Sequence, residues 1–476
     1  MSAGLAGTSV AVLGATALAL VGGARLGAES PATKRAPTPP GAVVATHDEE
    51  ALNHWPGWRG PLGTGVAPRA DPPLEWSEDE NIRWKLALPG RGHSTPVVWG
   101  DRLFLTAAIP SGEPVPPPAG RRPGAHDGLP AVRRQAFAVI AVNRRDGTIL
   151  WQTTVREGVP NEGIHNTGSF ASHSPVVDGE RVFVSFGSYG IYCLDWNGRR
   201  LWEADLGDMN TKHGHGEGSS PVLAGETLVV NWDHEGPSFV VAFHKRTGRE
   251  RWRVERNEPT SWATPVVFEH DGRRQVIVSG ANRVRGYDLT SGEVIWECAG
   301  LSANVVASPV AADGMVYVGS SYDTRNLLAI RLEGSMGDIT GTDRVAWNRR
   351  QGTPYIPSLL LYEEALYVIY HYQGILTRLR ARTGEERPGP LRLGGVGNIY
   401  ASPVAAAGRV YNTDLDGATL VISHGDQPEA LALNRLEDRF SASAALAGGE
   451  MFLRGERYLY NIAEGDPADQ RGSESR

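Results

Sequence analysis

The chain is poor in cysteine. Its 476 residues contain two, Cys193 and Cys298, which are neither adjacent nor spaced as a Cys-x-x-Cys pair. A disulfide-built scaffold, a dithiol redox motif and a covalent haem attachment site each need paired cysteines, so all three are excluded. Because free cysteine is among the residues most often buried, we expect two isolated thiols inside packed strands.

The chain also lacks an excess of positive charge. It has 47 Lys and Arg against 54 Asp and Glu, which gives a formal net charge of -7 at pH 7. Proteins that bind nucleic acid need a basic surface that displaces counterions from the phosphates. The composition therefore excludes nucleic acid as a partner.

The N-terminus carries a long run without charge. Residues 5–24 are uncharged and rich in Ala, Val, Leu and Gly. We predict an export signal over residues 1–28, with a weak membrane anchor as the alternative, then a disordered Pro-rich linker over residues 29–50. The protein is then exported to the periplasm or another extracytoplasmic site, and residues 5–24 tether it to a membrane if they are retained. Residues 467–476 are predicted to be a disordered tail.

A repeat dominates the rest of the chain. Eight times the sequence returns to a hydroxyl residue, usually followed by Pro and Val, at the start of a short apolar strand. A period near 44 residues with several short strands in each unit is typical of a β-propeller. The sequence therefore predicts an all-β fold with eight four-stranded antiparallel blades over residues 81–466. The eight starts are Thr95-Pro96-Val97, Ser174-Pro175-Val176, Ser220-Pro221-Val222, Thr264-Pro265-Val266, Ser308-Pro309-Val310, Ser358-Leu359-Leu360, Ser402-Pro403-Val404 and Ser443-Ala444-Ala445.

A Trp near the N-terminus indicates how the ring closes. Several repeats place a Trp four residues after a turn Gly, as at Gly147 and Trp151. Trp84 occupies the same slot before the first repeat, whereas the eighth repeat ends without a fourth strand. We therefore predict that the strand around Trp84 completes the last blade by pairing with the C-terminal strands, which removes the open edge. Residues 51–80 then form an N-terminal arm ahead of the ring.

The segment 141–151, Ala-Val-Asn-Arg-Arg-Asp-Gly-Thr-Ile-Leu-Trp, resembles the tryptophan-docking repeat of the quinoprotein family. The resemblance covers about residues 80–462. The family includes the pyrroloquinoline quinone (PQQ) dehydrogenases and the eight-bladed lipoprotein propeller of the outer-membrane barrel-assembly machinery. Residues 55–61 resemble the arm that precedes the propeller in exported relatives of unassigned role. Repeat six departs from the pattern, with Pro388 in the tryptophan slot.

The loops between blades and those between second and third strands share one face of a propeller, around the mouth of the central channel. We expect this channel-mouth face to gather the unusual polar and aromatic residues of the chain. Four of them, with imidazole and carboxylate groups, form a candidate divalent-metal site: His213, His215, Glu217 and His234. The other candidates on this face are His93, His165, His173, Asp233, Glu235, Trp262, Arg283, Tyr322, Asp323, Tyr355, His371, Tyr400 and Asp414.

The sequence favours a binding or assembly platform over an enzyme. Exposed Tyr and Trp beside carboxylates suit a protein partner or an extended glycan. The alternative implied by the resemblance is a PQQ-dependent dehydrogenase with calcium, but such enzymes typically carry an adjacent Cys-Cys pair over the quinone, which this chain lacks. No cofactor is assigned: PQQ with calcium and a divalent metal both stay open. A metal-dependent hydrolase centred on the histidines is a third, weaker hypothesis.

Overall fold

A computed structural model describes residues 49–116, 127–370 and 374–465. It confirms the predicted fold: the strands form eight antiparallel blades, each with four strands, arranged as a β-propeller. The inner and middle strands of the blades are almost fully buried, whereas most of the outer strands alternate between exposed and half-buried residues. The hydrophobic core therefore lies between blades, where each sheet covers the faces of its neighbours.

The strands of the first half of the ring follow the predicted starts. In chain order they are β1 (Ile82–Ala87), which belongs to blade 8; β2 (Val97–Trp99), β3 (Arg102–Ser111), β4 (Gly128–Leu129), β5 (Arg134–Asn143) and β6 (Ile149–Gly158) in and around blade 1; β7 (Ile164–His165); β8 (Val176–Val177), β9 (Arg181–Ser185), β10 (Ile191–Asp195) and β11 (Arg200–Ala204) in blade 2; β12 (Val222–Ala224), β13 (Thr227–Trp232), β14 (Ser238–His244) and β15 (Glu250–Arg256) in blade 3; β16 (Val266–His270), β17 (Arg273–Val278), β18 (Val284–Asp288) and β19 (Val294–Cys298) in blade 4.

The second half of the ring repeats the arrangement. Its strands are β20 (Val310–Ala312), β21 (Met315–Ser320), β22 (Asn326–Arg331) and β24 (Val345–Arg349) in blade 5, with β23 (Gly337–Asp338) inserted; β25 (Leu360–Tyr362), β26 (Ala365–Tyr370), β27 (Ile375–Arg380) and β28 (Glu386–Arg392) in blade 6; β29 (Val404–Ala406), β30 (Arg409–Thr413), β31 (Ala418–Ser423) and β32 (Ala430–Arg435) in blade 7; β33 (Ala445–Ala447), β34 (Glu450–Arg454) and β35 (Tyr458–Ala463) in blade 8. Three short 3₁₀ helices cover Glu49–Asn53, Gly187–Tyr189 and Lys212–Gly214.

The hydroxyl residue at each repeat start links its blade to the next. The backbone N–H of one hydroxyl residue donates to the side-chain oxygen of the corresponding residue in the following blade, and seven such bonds of 2.9–3.0 Å run around the channel. Proline can follow these residues because it has no N–H that would need a partner there. We call this set the hydroxyl belt: Thr95, Ser174, Ser220, Thr264, Ser308, Ser358, Ser402 and Ser443.

Tryptophans dock the outer strands onto neighbouring blades. The indole N–H of Trp151 donates to the carbonyl of Trp196 in the next blade, at 3.0 Å, and Trp84, Trp202, Trp252 and Trp347 make equivalent bonds. Each of these rings lies on the turn glycine of the neighbouring blade, since a Cβ built there would stand 2.6–2.7 Å from the ring. Glycine supplies both the space and the left-handed conformation of the turn.

Trp296 departs from this pattern. Its indole donates to Gln275 of its own blade, at 2.8 Å. The outer strand β19 of that blade is covered by β23, which pairs with it in parallel. The insertion that contains β23 thus occupies the outer edge of blade 4, and Trp296 packs inward.

The ring is closed by its two ends, as predicted. Strand β1 pairs antiparallel with β35, with Trp84 opposite Asn461 and Leu86 opposite Leu459. The Trp84 ring lies 6.2 Å from that of Phe452. One blade is therefore shared between residues that are more than 350 positions apart in the sequence, and no blade edge is left open at the junction.

The N-terminal arm runs through the central channel. It meets the innermost strands of several blades in turn: Trp55 bridges Val98, the Pro56 carbonyl accepts from Val177, and Val66 bridges Ala405. Between these contacts Arg59 is 2% exposed and donates to the carbonyl oxygens of Leu359 and Thr64. The channel is thus filled by chain of the same molecule. The arm begins in the 3₁₀ helix Glu49–Asn53, so Glu49 and Glu50 are helical although the linker prediction includes them.

In the described ranges no helix has the length and apolar character needed to cross a membrane. The predictions for residues 1–28 and 467–476 and for most of the linker fall outside those ranges.

The belt predicts a specific loss of stability. Ser308→Ala removes the acceptor of two buried donors, the Thr264 N–H and the Trp58 indole, so we expect a loss of about 1–3 kcal/mol. Thermal and urea unfolding midpoints measure it. Ser291→Ala, at an exposed turn, is the matched control and should stay within about 0.5 kcal/mol of the parent. Equal midpoints for the two variants would contradict the role given to the belt.

The contact of Trp84 with Gly147 at the ring closure predicts a difference in stability between two glycine variants. Gly147 and Gly272 have φ values of 75° and 74°, but only at Gly147 does an added Cβ meet the Trp84 ring, at 2.7 Å; at Gly272 it meets open space. Both Gly→Ala variants carry the same backbone strain, and Gly147→Ala should lose roughly 1–3 kcal/mol more through overpacking. Differential scanning calorimetry compares them, and identical melting would show that the closure does not depend on this contact.

Candidate functional site

All eight blade junctions contribute to one pocket at the mouth of the channel. Its volume is about 710 Å³. We call it the mouth pocket and define it by these lining residues: Trp58, His93, Asp127, His165, His213, His215, Glu217, Trp262, Asn304, Tyr322, Tyr355, Asn398, Tyr400 and Ser441, with the belt residues Ser220, Thr264, Ser308, Ser358 and Ser402. The pocket exists because the belt draws the starts of all inner strands toward one axis, so that the loops before them share a rim.

Nine of the residues predicted from sequence meet in this pocket. Six come from the predicted channel-mouth face and three from the candidate metal set. They are His93, His165, Trp262, Tyr322, Tyr355 and Tyr400, and His213, His215 and Glu217.

Two carboxylates predicted for the face serve other contacts. Asp233 is buried and accepts from Arg256 Nε at 2.7 Å and from the Ser261 hydroxyl at 2.7 Å. Asp414 is also buried, and it accepts the backbone N–H groups of its own tight turn and of Gly397. Each carboxylate holds loop structure together beneath the surface instead of facing the channel.

Four more candidates lie outside the mouth pocket. Glu235 accepts from the Thr260 N–H and hydroxyl, at 3.1 and 2.8 Å. Arg283 pairs with Asp338 of the insertion at 2.8 Å, so it points to the outer edge of blade 4. His173 is buried below the pocket, and burial lowers its pKa to about 4. Asp323 is exposed next to Tyr322, and His371 lies outside the described residues.

The candidate metal set does not come together. Both ring nitrogens of His234 are engaged in its own neighbourhood: Nδ1 accepts from the Asn210 N–H at 3.0 Å, and Nε2 lies 3.1 Å from the Pro237 carbonyl. Glu217 accepts from the backbone N–H of Ser188 at 2.8 Å and from its hydroxyl. Over the described ranges no group of three or more His, Cys, Asp or Glu side chains is arranged to hold a metal ion. A metal site therefore stays a prediction without support from this geometry.

Three histidines do form a cluster on the rim. The His215 ring lies 4.9 Å from that of His165 and 5.3 Å from that of His213. The glycines around them let the loop bend, and His213 itself has a φ of 59°. This conformation is unfavourable for a residue with a Cβ, so the loop holds His213 in place at some cost.

Aromatic side chains form the walls and floor. The Trp262 indole donates to the Gly216 carbonyl at 2.7 Å, which fixes its ring at the wall. Tyr322 and Tyr355 stack with centroids 6.1 Å apart, and Lys212 reaches over Tyr322 at the outer rim, 5.4 Å from its centroid. At the floor the Trp58 indole donates to the Ser308 hydroxyl at 3.1 Å.

Trp58 lines the pocket, although sequence reasoning did not place it on the channel-mouth face. It lies in the arm, which has no repeat to show where its side chains point. The paired tryptophans at positions 55 and 58 were a signal that the arm is buried, but only the path through the channel shows that one of them lies beneath the mouth pocket.

Burial keeps two titratable side chains of the pocket uncharged at pH 7. Burial raises the pKa of Glu217 to about 8, so its carboxyl is largely protonated. Burial also lowers the pKa of His93 to about 3, helped by the nearby Arg454 and Arg91. Among the described residues that line the pocket there is no Arg or Lys, and Asp127 is the other carboxyl-bearing residue. The described lining thus offers mainly aromatic rings, hydroxyls and imidazoles beside that carboxylate.

A search against protein families connects this geometry to known proteins. A family described as "Outer membrane protein assembly factor BamB" matches residues 110–236 and 237–466. The chain belongs to this PQQ-like repeat family. No curated protein sequence matches it.

Solved structures show the same fold at low sequence identity. BamB from Moraxella catarrhalis is 14% identical, with a TM-score of 0.53, over 80% of this chain and 99% of that one. A europium-containing methanol dehydrogenase is 11% identical, with a TM-score of 0.55, over 84% and 89%. Quinohemoprotein alcohol dehydrogenase from Comamonas testosteroni is 10% identical, with a TM-score of 0.58, over 87% and 81%. At these identities the likeness extends to the fold alone.

The described lining of the mouth pocket lacks two features expected of a PQQ site. The quinone carries three carboxylates, and the described lining offers neither Arg nor Lys to pair with them. Cys193 and Cys298 are buried separately within blades 2 and 4, so no cysteine pair covers the pocket.

Glu217 gives the pocket a pH-dependent stability. Because its folded pKa of about 8 lies above the ordinary 4.5, its contribution is complete below pH 4.5 and is lost as pH rises through 8. Relative to Glu217→Gln, the parent melting temperature should fall between pH 5 and pH 9 by about 2 °C or more, the change that roughly 1 kcal/mol gives in a large domain. Glu80→Gln, at an exposed position, is the control and should track the parent. Parallel curves for parent and Glu217→Gln would contradict the raised pKa.

Proposed function

We propose that the protein is an exported, non-catalytic binding platform that holds a protein or glycan partner in the mouth pocket. The observation that carries this proposal is the composition of the pocket: fixed aromatic faces and neutral hydroxyls from every blade junction converge on one cavity. A volume of about 710 Å³ is within the roughly 300–1,000 Å³ of pockets that enclose small ligands or single residues of larger ones.

Three titratable side chains in and near the pocket are poorly suited to acid–base chemistry at pH 7. Catalysis of acyl or proton transfer needs a nucleophile or base beside a group that orients it. Here the raised pKa of Glu217 and the lowered pKa of His93 keep both side chains neutral at pH 7, and the carboxylate of Asp233 is paired with Arg256 outside the pocket. A platform needs none of these functions.

The family supports the same conclusion. Its description names an outer membrane protein assembly factor. Export to the periplasm or another extracytoplasmic compartment fits this description and the predicted N-terminal signal. The rigid, closed ring is suited to present one face to a partner.

The proposal predicts that the protein neither retains PQQ nor oxidises alcohols. Purified protein is dialysed against PQQ and calcium and then assayed with an alcohol panel and an artificial electron acceptor, with a quinohaemoprotein alcohol dehydrogenase as positive control. We expect no PQQ above the level in the dialysis buffer and no turnover. One PQQ per chain with sustained turnover, both lost in Trp58→Ala, would establish the dehydrogenase instead.

A further inference from the structure

The floor of the mouth pocket carries hydroxyl groups whose protons are not used. Seven of the eight belt oxygens accept a backbone N–H from the preceding blade, for example Ser358 from Ser308 and Ser402 from Ser358, both at 2.9 Å. Within the described ranges no acceptor receives a hydrogen bond from the hydroxyls of Ser220, Thr264, Ser308, Ser358 or Ser402. A serine or threonine hydroxyl can donate one hydrogen bond while it accepts others. Five donors on one ring therefore face a cavity, and each has a proton left to give.

Hydroxyl groups that donate to no protein acceptor favour a ligand with many uncharged oxygen acceptors. An anion would be drawn by Arg or Lys, which the described lining lacks. A cation would be drawn by several ionised carboxylates, whereas the described lining has Asp127 and a Glu217 that is largely protonated at neutral pH. Sugar rings present many hydroxyl and ether oxygens without charge.

The walls provide the second part of a sugar site. A pyranose ring has flat faces of C–H groups that pack on aromatic rings, and aromatic side chains bring a large contact area at low entropic cost. The mouth pocket offers five such rings: Trp58 at the floor, Trp262 at the wall, and Tyr322, Tyr355 and Tyr400 around the rim. The orientation of Trp58 and Trp262 is fixed in advance by their indole hydrogen bonds.

We infer that the mouth pocket binds a neutral oligosaccharide, one end or segment of which enters far enough to reach the hydroxyl belt. This inference rests on the proposed platform function and names the class of its partner. The occupant is bound without being oxidised or cleaved, as the platform function requires.

The test uses the full chain and defined probes. Isothermal titration calorimetry and tryptophan fluorescence are recorded with cellotetraose, maltotetraose, chitotetraose and a capped, uncharged peptide of alternating tyrosine and serine. We expect at least one of the three tetrasaccharides to bind and to change the fluorescence of Trp58 and Trp262, and the peptide to be inert.

Variants then locate the binding. Tyr322 is 43% exposed and makes no side-chain hydrogen bond with the described residues, so Tyr322→Ala should fold normally and weaken binding at least tenfold. Trp262→Phe, which keeps a ring but loses the indole hydrogen bond, should weaken it less. Tyr458→Ala removes an aromatic ring that lies beside Lys85 in blade 8 and is not part of the lining, so this variant should bind as the parent does.

Three results would overturn the inference. Failure of all three tetrasaccharides excludes this class, and so does binding that is unchanged in Tyr322→Ala. Binding of the peptide alone replaces the glycan by a protein segment while the platform function stands. Retention of PQQ with turnover, in the separate assay above, overturns both the saccharide and the platform.

Discussion

The hydroxyl belt is the constraint on which the rest of the molecule depends. Each belt residue lies two positions before an inner strand and beside the central channel, where a backbone N–H that is shielded from water must find a partner. The side-chain oxygen of the next blade supplies it, at 2.9–3.0 Å, seven times around the channel. Because every bond joins two neighbouring blades, the belt sets the spacing of the blades at the axis.

The same bonds create the site. A hydroxyl that accepts a backbone N–H keeps its own proton, and the loops that precede the belt residues are all brought to one rim. The bonds between blades thus use the oxygen atoms of these side chains, whereas the proposed ligand binding uses their hydroxyl protons. This also explains why proline follows six of the eight belt residues: it adds rigidity at the start of the strand and leaves no extra N–H to be satisfied.

The arm determines that the mouth is a pocket and not a pore. It crosses the channel against the inner strands, and it buries Arg59 without a carboxylate partner among the described residues, so that burial lowers the pKa of the guanidinium to about 9. Carbonyl oxygens of Leu359 and Thr64 hold that side chain instead. Burial of this charge costs free energy, which indicates that the contacts around it hold the arm firmly in position. Trp58, the residue before it, is therefore a rigid floor for whatever enters from the rim.

The sequence predicted the ring, its blade number and its closure, because each depends on a local signal that recurs at a fixed period. It also predicted most aromatic and histidine residues of the rim, since a periodic fold shows which loop a residue occupies. It could not show in which direction a side chain points within that loop. Asp233 and Asp414 occupy the expected loops, but Arg256 in one case and a tight turn in the other draw their carboxylates inward. Trp58 was not predicted to line the pocket because the arm has no repeat. Its position follows only from the path of the arm through the channel.

The few charges of the described lining bear on what the proposed platform would hold. Long-range attraction gathers charged ligands quickly, but the described lining has no Arg or Lys, Asp127 is one carboxylate at its rim, and burial keeps Glu217 largely protonated at pH 7. In the proposed saccharide complex affinity then comes mainly from contact, and a single sugar residue offers few contacts. A chain of such residues that extends from the floor along the rim tyrosines gathers more of them, and a polymer of which one end or loop is held suits the proposed platform.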